Sequence, residues 1–454
     1  MDSIGEITAL VEESAREAGF ELAGIAPVRD FAELEHFPKW IAAGHAGEMK
    51  YMEARDDAGQ LKRASLRTVA PWARSVIVCA INYNTQHPYS TQVQDPERGW
   101  ISRYAWSRED YHQAVMRRLR AVEAKLHAEF ETSGAKARTP EDVATAALEH
   151  CATQDQGPST ILEAVSFHGD VSNPAWKRGP SLRRSVAKDD GDPAWKRGPS
   201  LRRSVAKDDG DPAWKRGPSG PRSAAEEDRA SAPVELITRC YVDTGPLVER
   251  VYAKYAGIGW IGKNTCILNQ KLGSWLFLGV ILTSIELAPD LPAPDRCGTC
   301  TRCIDACPTD ALIAPYQLDS NRCISYLTIE KRASIPENLR EGMGRHIFGC
   351  DICQDVCPWN RKAPATTLTE FQPRDGLLNP ALDWLAEMTG EEFQTKFRGS
   401  PIRRAKRSGL RRNAVVAMGN SGDRRFVPLL EKLASDEDPG VAEHAKWAAA
   451  KLLS

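Results

Sequence analysis

The 454-residue sequence predicts an α/β layer, then a compact cysteine-rich unit, then an all-α tail, and three observations carry that expectation. Strand-like apolar runs alternate with segments of helical period over residues 1–137 and again over 235–290. Four cysteines fall within 297–307, and three more within 350–357. From 373 onward the spacing is helical and includes a strongly basic run.

At the N-terminus, MDSIGEITALVEESAREAGF places Ile4, Ile7, Leu10 and Val11 on one helical face. This segment lacks the basic start and apolar centre of a secretory signal. ELAGIAPV (21–28) and SVIVCAINY (75–83) read as strands, and DYHQAVMRRLRAVEAKLHAEF (110–130) as a long amphipathic helix. Strand-like runs resume at ELITRCYV (235–242), TCILN (265–269) and SWLFLGVILTS (274–284). Interspersed strands and helices suggest an α/β layer built on one sheet. The longest apolar run, Trp275–Leu282, is too short to span a bilayer, so no membrane partner is expected. A formal net charge of −1 leaves nucleic-acid binding open, because charge can be segregated along a chain.

Between the two halves of the layer, NPAWKRGPSLRRSVAKDDG (173–191) recurs from Asp192 and again, truncated, from Asp211, with a period of 19. Each unit offers Trp, Leu, Val and Ala as apolar groups, too few to offset the entropy of ordering. The near-identity of the copies points to tandem duplication. Residues 138–234 are therefore expected to form a disordered insertion, a solvated linker whose Arg and Lys could touch RNA.

Cys297-x2-Cys300-x2-Cys303-x3-Cys307-Pro308 has the bacterial ferredoxin spacing. In that pattern the fourth cysteine ligates a neighbouring cluster, so a second cluster is predicted. Cys350-x2-Cys353-x3-Cys357-Pro358 lacks one thiol, and Cys323 in NRCISYLT completes the set. The expected pairing is Cys297, Cys300, Cys303 and Cys357 on one [4Fe–4S] cluster, and Cys350, Cys353, Cys323 and Cys307 on the other. Structural zinc favours paired C-x2-C knuckles, and disulfides suit small secreted chains, so both fit less well. A reducing interior, the cytoplasm, suits free thiols and clusters alike. Of the remaining cysteines, Cys151 and Cys240 are scattered, while Cys79 and Cys266 sit in apolar runs and read as small buried hydrophobes.

A second constellation is YVDTGPLVERVYAKYAGIGWIGKNTCIL. Asp243 ends a strand-like run at a Thr-Gly-Pro turn, a common position for catalysis, with an Asx-turn or helix cap as the plainer alternative. Gly257, Gly259 and Gly262 suggest close backbone approach to a ligand, without the context of a Walker loop or dinucleotide fingerprint. Residues 394–413 hold eight Lys and Arg and no acid, which favours phosphate contact over a merely solvated face. Three short helices, punctuated by Gly-Asn-Ser-Gly and Asp-Pro-Gly, then suggest one and a half HEAT-type repeats.

VDTGPLVERVYAKYAGIGWIGKNT, CGTCTRCIDACPTDAL, RCISYLTIE and GCDICQDVCPWN together resemble the epoxyqueuosine reductases. FPKWIAAGHAGEMKYM (37–52), PWARSVIVCAINY (71–83), SRYAW (102–106) and DYH (110–112) extend the resemblance over nearly all the chain outside 138–234. These enzymes remove the epoxide oxygen of a modified guanosine in the tRNA anticodon loop, the last step of queuosine biosynthesis. Their core is similar in fold to that of reductive dehalogenases. The resemblance implies cobalamin in an N-terminal α/β domain (1–137 plus 235–290), fed by the clusters of a ferredoxin-like domain (291–372). It implies Asp243 as proton donor, with Arg63, Ser102, Asp243, Ile267 and Leu278 at cobalamin-contacting positions. A HEAT-like module (373–454) would bind epoxyqueuosine-bearing tRNA, with Arg403, Arg404, Lys406, Arg407, Arg411 and Arg412 as its basic contacts. A monomer served by an unidentified electron donor is expected. The competing readings are a ferredoxin-like carrier, which leaves the basic tail unexplained, a reductive dehalogenase-type enzyme for a small molecule, and an inactive product of the duplication.

Overall fold

A computed structural model describes residues 4–133 and 236–454, all of which belong to one compact unit. The repeat-bearing segment expected at 138–234, with Cys151, lies outside the described residues. Strands β1 (Leu22–Pro27), β2 (Ser75–Asn82), β3 (Thr238–Tyr241) and β4 (Leu276–Thr283) form a four-stranded sheet in the order β1–β2–β4–β3. Every neighbouring pair is antiparallel, with Ile25 opposite Ile77, Ile77 opposite Ile281 and Cys240 opposite Ile281. The interleaving of strands with helices announces one sheet but not its antiparallel sense. TCILN contributes a two-residue strand, Ile267–Leu268, that pairs with Trp260–Ile261 in a separate hairpin.

β2 is buried along its whole length because its alternate residues meet helices on opposite faces. Ile77, Cys79 and Ile81 share a core with Ile7 and Val11 of helix α1 (Ile4–Glu17) and with Val115 and Leu119 of α2 (Tyr111–Ser133). Val76, Val78 and Ala80 instead join Val251 and Tyr252 of α3 (Glu249–Tyr255). A strand covered on both sides reads as a continuous apolar run, as SVIVCAI does. Among the described residues no helix is long and apolar enough to cross a membrane.

The C-terminal part carries α4 (Lys406–Ser421), α5 (Val427–Leu433) and α6 (Pro439–Leu453). Gly422 ends α4 in the left-handed conformation, at φ 73°. Asp438 caps α6 by accepting from the backbone N–H groups of Gly440 and Val441, with Pro439 at the first helical position. Those two features account for the glycine and Asp-Pro-Gly punctuation. Packing continues across the boundary expected at 372/373, since Trp100, Ile101, Ile347 and Phe348 share one core with Leu410, Val415, Ala445 and Leu452. Asn413 of α4 reinforces it by donating to the carbonyls of Thr328 and Ile347, at 2.8 and 2.9 Å.

His444 of α6 is fully buried and locked in one neutral tautomer. Its Nδ1 donates to the Gly440 carbonyl at 2.6 Å, and its Nε2 accepts from the Ile335 N–H at 3.2 Å. Burial, with Arg340 and Arg412 nearby, lowers it from the ordinary 6.5 to about 4. The unfolded chain therefore binds the extra proton first. The stabilisation is complete above the unfolded value and is lost as pH falls from 6.5 towards 4. Denaturant melts should show a loss on the order of 3 kcal/mol from this residue across that window. A His444→Gln variant should show a correspondingly smaller difference between neutral and acid melts, and an unchanged difference would contradict the assignment.

Candidate cluster loops and acid face

Residues 297–307 and 350–357 approach each other through their short helices, Arg302–Asp305 and Ile352–Asp355. The thiols fall into two neighbourhoods. Cys303 is pushed up to about 11 by burial and then by Cys357, Cys297 and Cys300. Burial and Cys297 likewise raise Cys357 to about 11. Cys350 is raised by burial and by Cys323 and Cys307, and Cys353 is raised by its hydrogen bond with Cys266 and by burial, then by Cys350 and Cys323. Cys357 thus lies with the first loop, and Cys307 with the second. Among the described residues no three His, Cys, Asp or Glu side chains converge as the ligands of a single ion do.

The Gly-Ile-Gly-Trp-Ile-Gly-Lys-Asn segment turns out to brace these loops. Gly257 takes φ +68° just after α3. A Cβ on Gly259 would stand 2.2 Å from the Leu268 carbonyl oxygen, and one on Gly262 would stand 2.5 Å from the Leu268 side chain. Gly259 and Gly262 therefore permit approach to the chain's own hairpin, which corrects the expectation of a ligand. Beyond them, Lys263 Nζ donates to the carbonyls of Gly298 and Cys300 at 2.6 and 3.0 Å. Asn264 Nδ2 donates to the Cys353 carbonyl at 3.2 Å. Cys79 is buried, as an inert apolar residue should be. Cys266 is not such a residue. It is partly exposed, and a hydrogen bond with the Cys353 thiol lowers it to about 7.

Behind the second loop lies a buried carboxylate, Asp351. It accepts from the Ser102 hydroxyl, from the Arg103 N–H at 2.8 Å and from Trp100 Nε1 at 3.3 Å. Ser102 is 3% exposed and its hydroxyl is engaged there, so its side chain holds the fold where a cobalamin contact was expected. The Arg103 guanidinium donates to the carbonyls of Thr85 and His87 and lies 4.9 and 5.1 Å from the rings of Trp106 and Trp275. Asp355 accepts from the N–H and hydroxyl of Ser90, tying a further stretch to the same loop.

Asp243 adopts φ +56°, and its side chain is about half exposed (53%). The Tyr111 hydroxyl donates to its Oδ2, and His112 Nε2 stands 3.9 Å from the same oxygen. Asp110 Oδ1 holds the other imidazole nitrogen at 2.8 Å. Tyr111 is stacked between His112 and Phe277, at 4.0 and 4.3 Å, and burial together with Asp243 raises it well above the usual phenol range. Nearby, Glu249 Oε1 is sealed from solvent and has no hydrogen-bond partner among the described residues. Burial and Asp243 push that carboxyl up to about 7, with Arg63 and Arg250 opposing. Arg63 donates to the Tyr51 carbonyl at 3.0 Å. Ile267 and Leu278 belong to the apolar layer that also takes Val251 and Tyr252 of α3. Asp243 and Arg63 thus act on Glu249 at the start of α3, and Ile267 and Leu278 pack in the layer that α3 joins.

The basic run divides. Arg411 donates to the Ala386 carbonyl at 2.7 Å and pairs with Asp436 through 3.1 and 2.6 Å contacts. Arg412 is buried, donates to the carbonyls of Leu327, Lys331 and Ala333, and is lowered by burial to about 10. Neither is presented to a phosphate, which corrects the expectation for both. Arg403, Arg404 and Lys406 are exposed, and Arg407 is half-buried. Arg404 pairs with Glu330, and Arg407 lies 3.6 Å from Glu437. The missing counter-charges therefore come from acids outside the run.

Residues 296–360 match the 4Fe-4S double cluster binding domain, and residues 63–142 match the family described as Epoxyqueuosine reductase QueG, DUF1730. An epoxyqueuosine reductase of Synechocystis is 34% identical over 86% of this chain and 98% of its own length. One from Pseudomonas aeruginosa is 32% identical over 96% of this chain and 92% of its own. Among solved structures, an epoxyqueuosine reductase with an epoxyqueuosine-modified tRNA stem loop has this fold, with a TM-score of 0.69 and 24% identity over 99% of this chain and 91% of that one. The length and identity of these matches place the chain in the epoxyqueuosine reductase family.

Proposed function

We propose that this protein reduces the epoxide of epoxyqueuosine in the tRNA anticodon loop to the alkene of queuosine, releasing the oxygen as water. One observation carries the reading. The second thiol neighbourhood reaches Cys266 through Cys353, and the residue after Cys266, Ile267, packs in the apolar layer that takes Val251 and Tyr252 of α3, the helix whose first residue, Glu249, feels the charge of Asp243. A redox-capable region thus adjoins an acid.

In this reading Cys297, Cys300, Cys303 and Cys357 hold one [4Fe–4S] cluster, and Cys307, Cys323, Cys350 and Cys353 hold the other. Ile267 and Leu278 offer an apolar surface, while Arg63 and the unpartnered oxygen of Glu249 offer polar contacts. That combination fits cobalamin, whose flat ring carries amide arms. When bound, the clusters supply single low-potential electrons and cobalamin supplies a reducible metal centre at the substrate. Asp243 donates a proton to the departing oxygen, since unaided expulsion of an alkoxide is costly. Tyr111 fixes the Asp243 carboxyl, and His112, held by Asp110, stands where a second proton can be exchanged.

The helices after 373 form a HEAT-like module, and Arg403, Arg404, Lys406 and Arg407 are its remaining candidates for tRNA phosphates. The layout is then a cobalamin-binding α/β domain from 1–137 and 235–290, a ferredoxin-like domain over 291–372 and the helical module over 373–454.

Asp243→Asn should retain cobalamin and lower conversion of epoxyqueuosine tRNA by roughly 10²- to 10⁴-fold. Normal turnover by that variant would remove Asp243 from the reaction. Cys357→Ala should lose the cluster of the 297–303 loop and keep the other, as read by iron content and electron paramagnetic resonance. Loss of only the other cluster would overturn the crossed pairing.

A further inference from the structure

Lys263 is a buried lysine, 8% exposed. Its ammonium donates to the carbonyls of Gly298 and Cys300, and among the described residues no carboxylate forms an ion pair with it. Asp295, an acid on the same loop, is already engaged by the Cys297 N–H at 2.7 Å and by the Tyr316 hydroxyl. Removing an ammonium from water costs several kcal/mol, and buried charges are normally paired. Two peptide carbonyls compensate only in part. The two carbonyls belong to the loop that carries Cys297, Cys300 and Cys303, whose thiols lie with that of Cys357. A [4Fe–4S] core held by four thiolates is an anion, and its reduction adds a further negative charge.

We propose that Lys263 is the fixed counter-charge of the cluster held by Cys297, Cys300, Cys303 and Cys357, and that it raises the reduction potential of that cluster relative to the other. The proposal rests on the cluster assignment above. The chain supplies its own contrast. The next residue, Asn264, braces the second cysteine loop through the Cys353 carbonyl and carries no charge. Two equivalent struts, one cationic and one neutral, make the two sites electrostatically unequal. Cluster potentials respond to such nearby charge and hydrogen bonding, and the effect is strong where water is excluded.

The test is a redox titration of both clusters, followed by electron paramagnetic resonance, in the anaerobically reconstituted full-length protein. Wild type is compared with Lys263→Gln and Lys263→Arg, and Cys297→Ala identifies which signal belongs to the first cluster. Lys263→Gln should move that one potential to a more negative value and leave the other in place, and Lys263→Arg should restore it. If Lys263→Gln fails to assemble the first cluster while Lys263→Arg assembles it at the wild-type potential, the charge is again what matters. The proposal is overturned if Lys263→Gln keeps its iron with neither potential moved, if both potentials move alike, or if both variants lose the cluster. A wild-type chain that binds no iron–sulfur cluster would instead refute the cluster assignment itself.

Discussion

The carboxylate of Asp351 is the interaction on which the rest of the described fold depends. A buried anion is tolerated only when its oxygens are satisfied, and here Ser102, the Arg103 N–H and the Trp100 indole do so. Those donors come from one short segment, 100–103, while Asp351 sits between Cys350 and Cys353 in the other half of the chain. The same segment carries the Arg103 guanidinium into the 85–88 stretch. Asp355, one helical turn on, takes Ser90. The sheet-bearing part and the cysteine loops are therefore parts of one packed object.

Within that object two charged neighbourhoods stand apart in their chemistry. At the first cysteine loop a lysine is offered to peptide carbonyls, and at the second the carboxylates of Asp351 and Asp355 feel the Arg103 guanidinium. Around the start of α3 lie Glu249, Asp243 and the guanidinium of Arg63, and Tyr111 links Asp243 to His112, which Asp110 holds. Burial and the nearby Asp243 charge both favour the protonated form of Glu249.

Much of this was legible in the sequence because a local constraint wrote it there. Iron–sulfur spacing is imposed by the cluster, so the four thiols of 297–307 announce themselves without any tertiary information. A strand buried on both faces has to be apolar throughout, so SVIVCAI is equally plain. Turn chemistry made Gly422 and Asp438-Pro439 readable as helix boundaries.

What escaped depended on partners far along the chain. Arg411 and Arg412 look like a bare basic patch until Asp436 and the carbonyls of 327–333 are brought against them. Gly259 and Gly262 look like a ligand cradle until Leu268 folds back on them. Cys266 looks inert until Cys353, nearly ninety residues later, meets it. The most direct measurement of the functional claim is mass spectrometry of nucleosides from epoxyqueuosine-containing tRNA, incubated anaerobically with the reconstituted protein, cobalamin and a strong reductant. Queuosine that appears only when cobalamin is present is the predicted result. Unchanged epoxide, with both clusters and cobalamin verified as bound, would contradict the account.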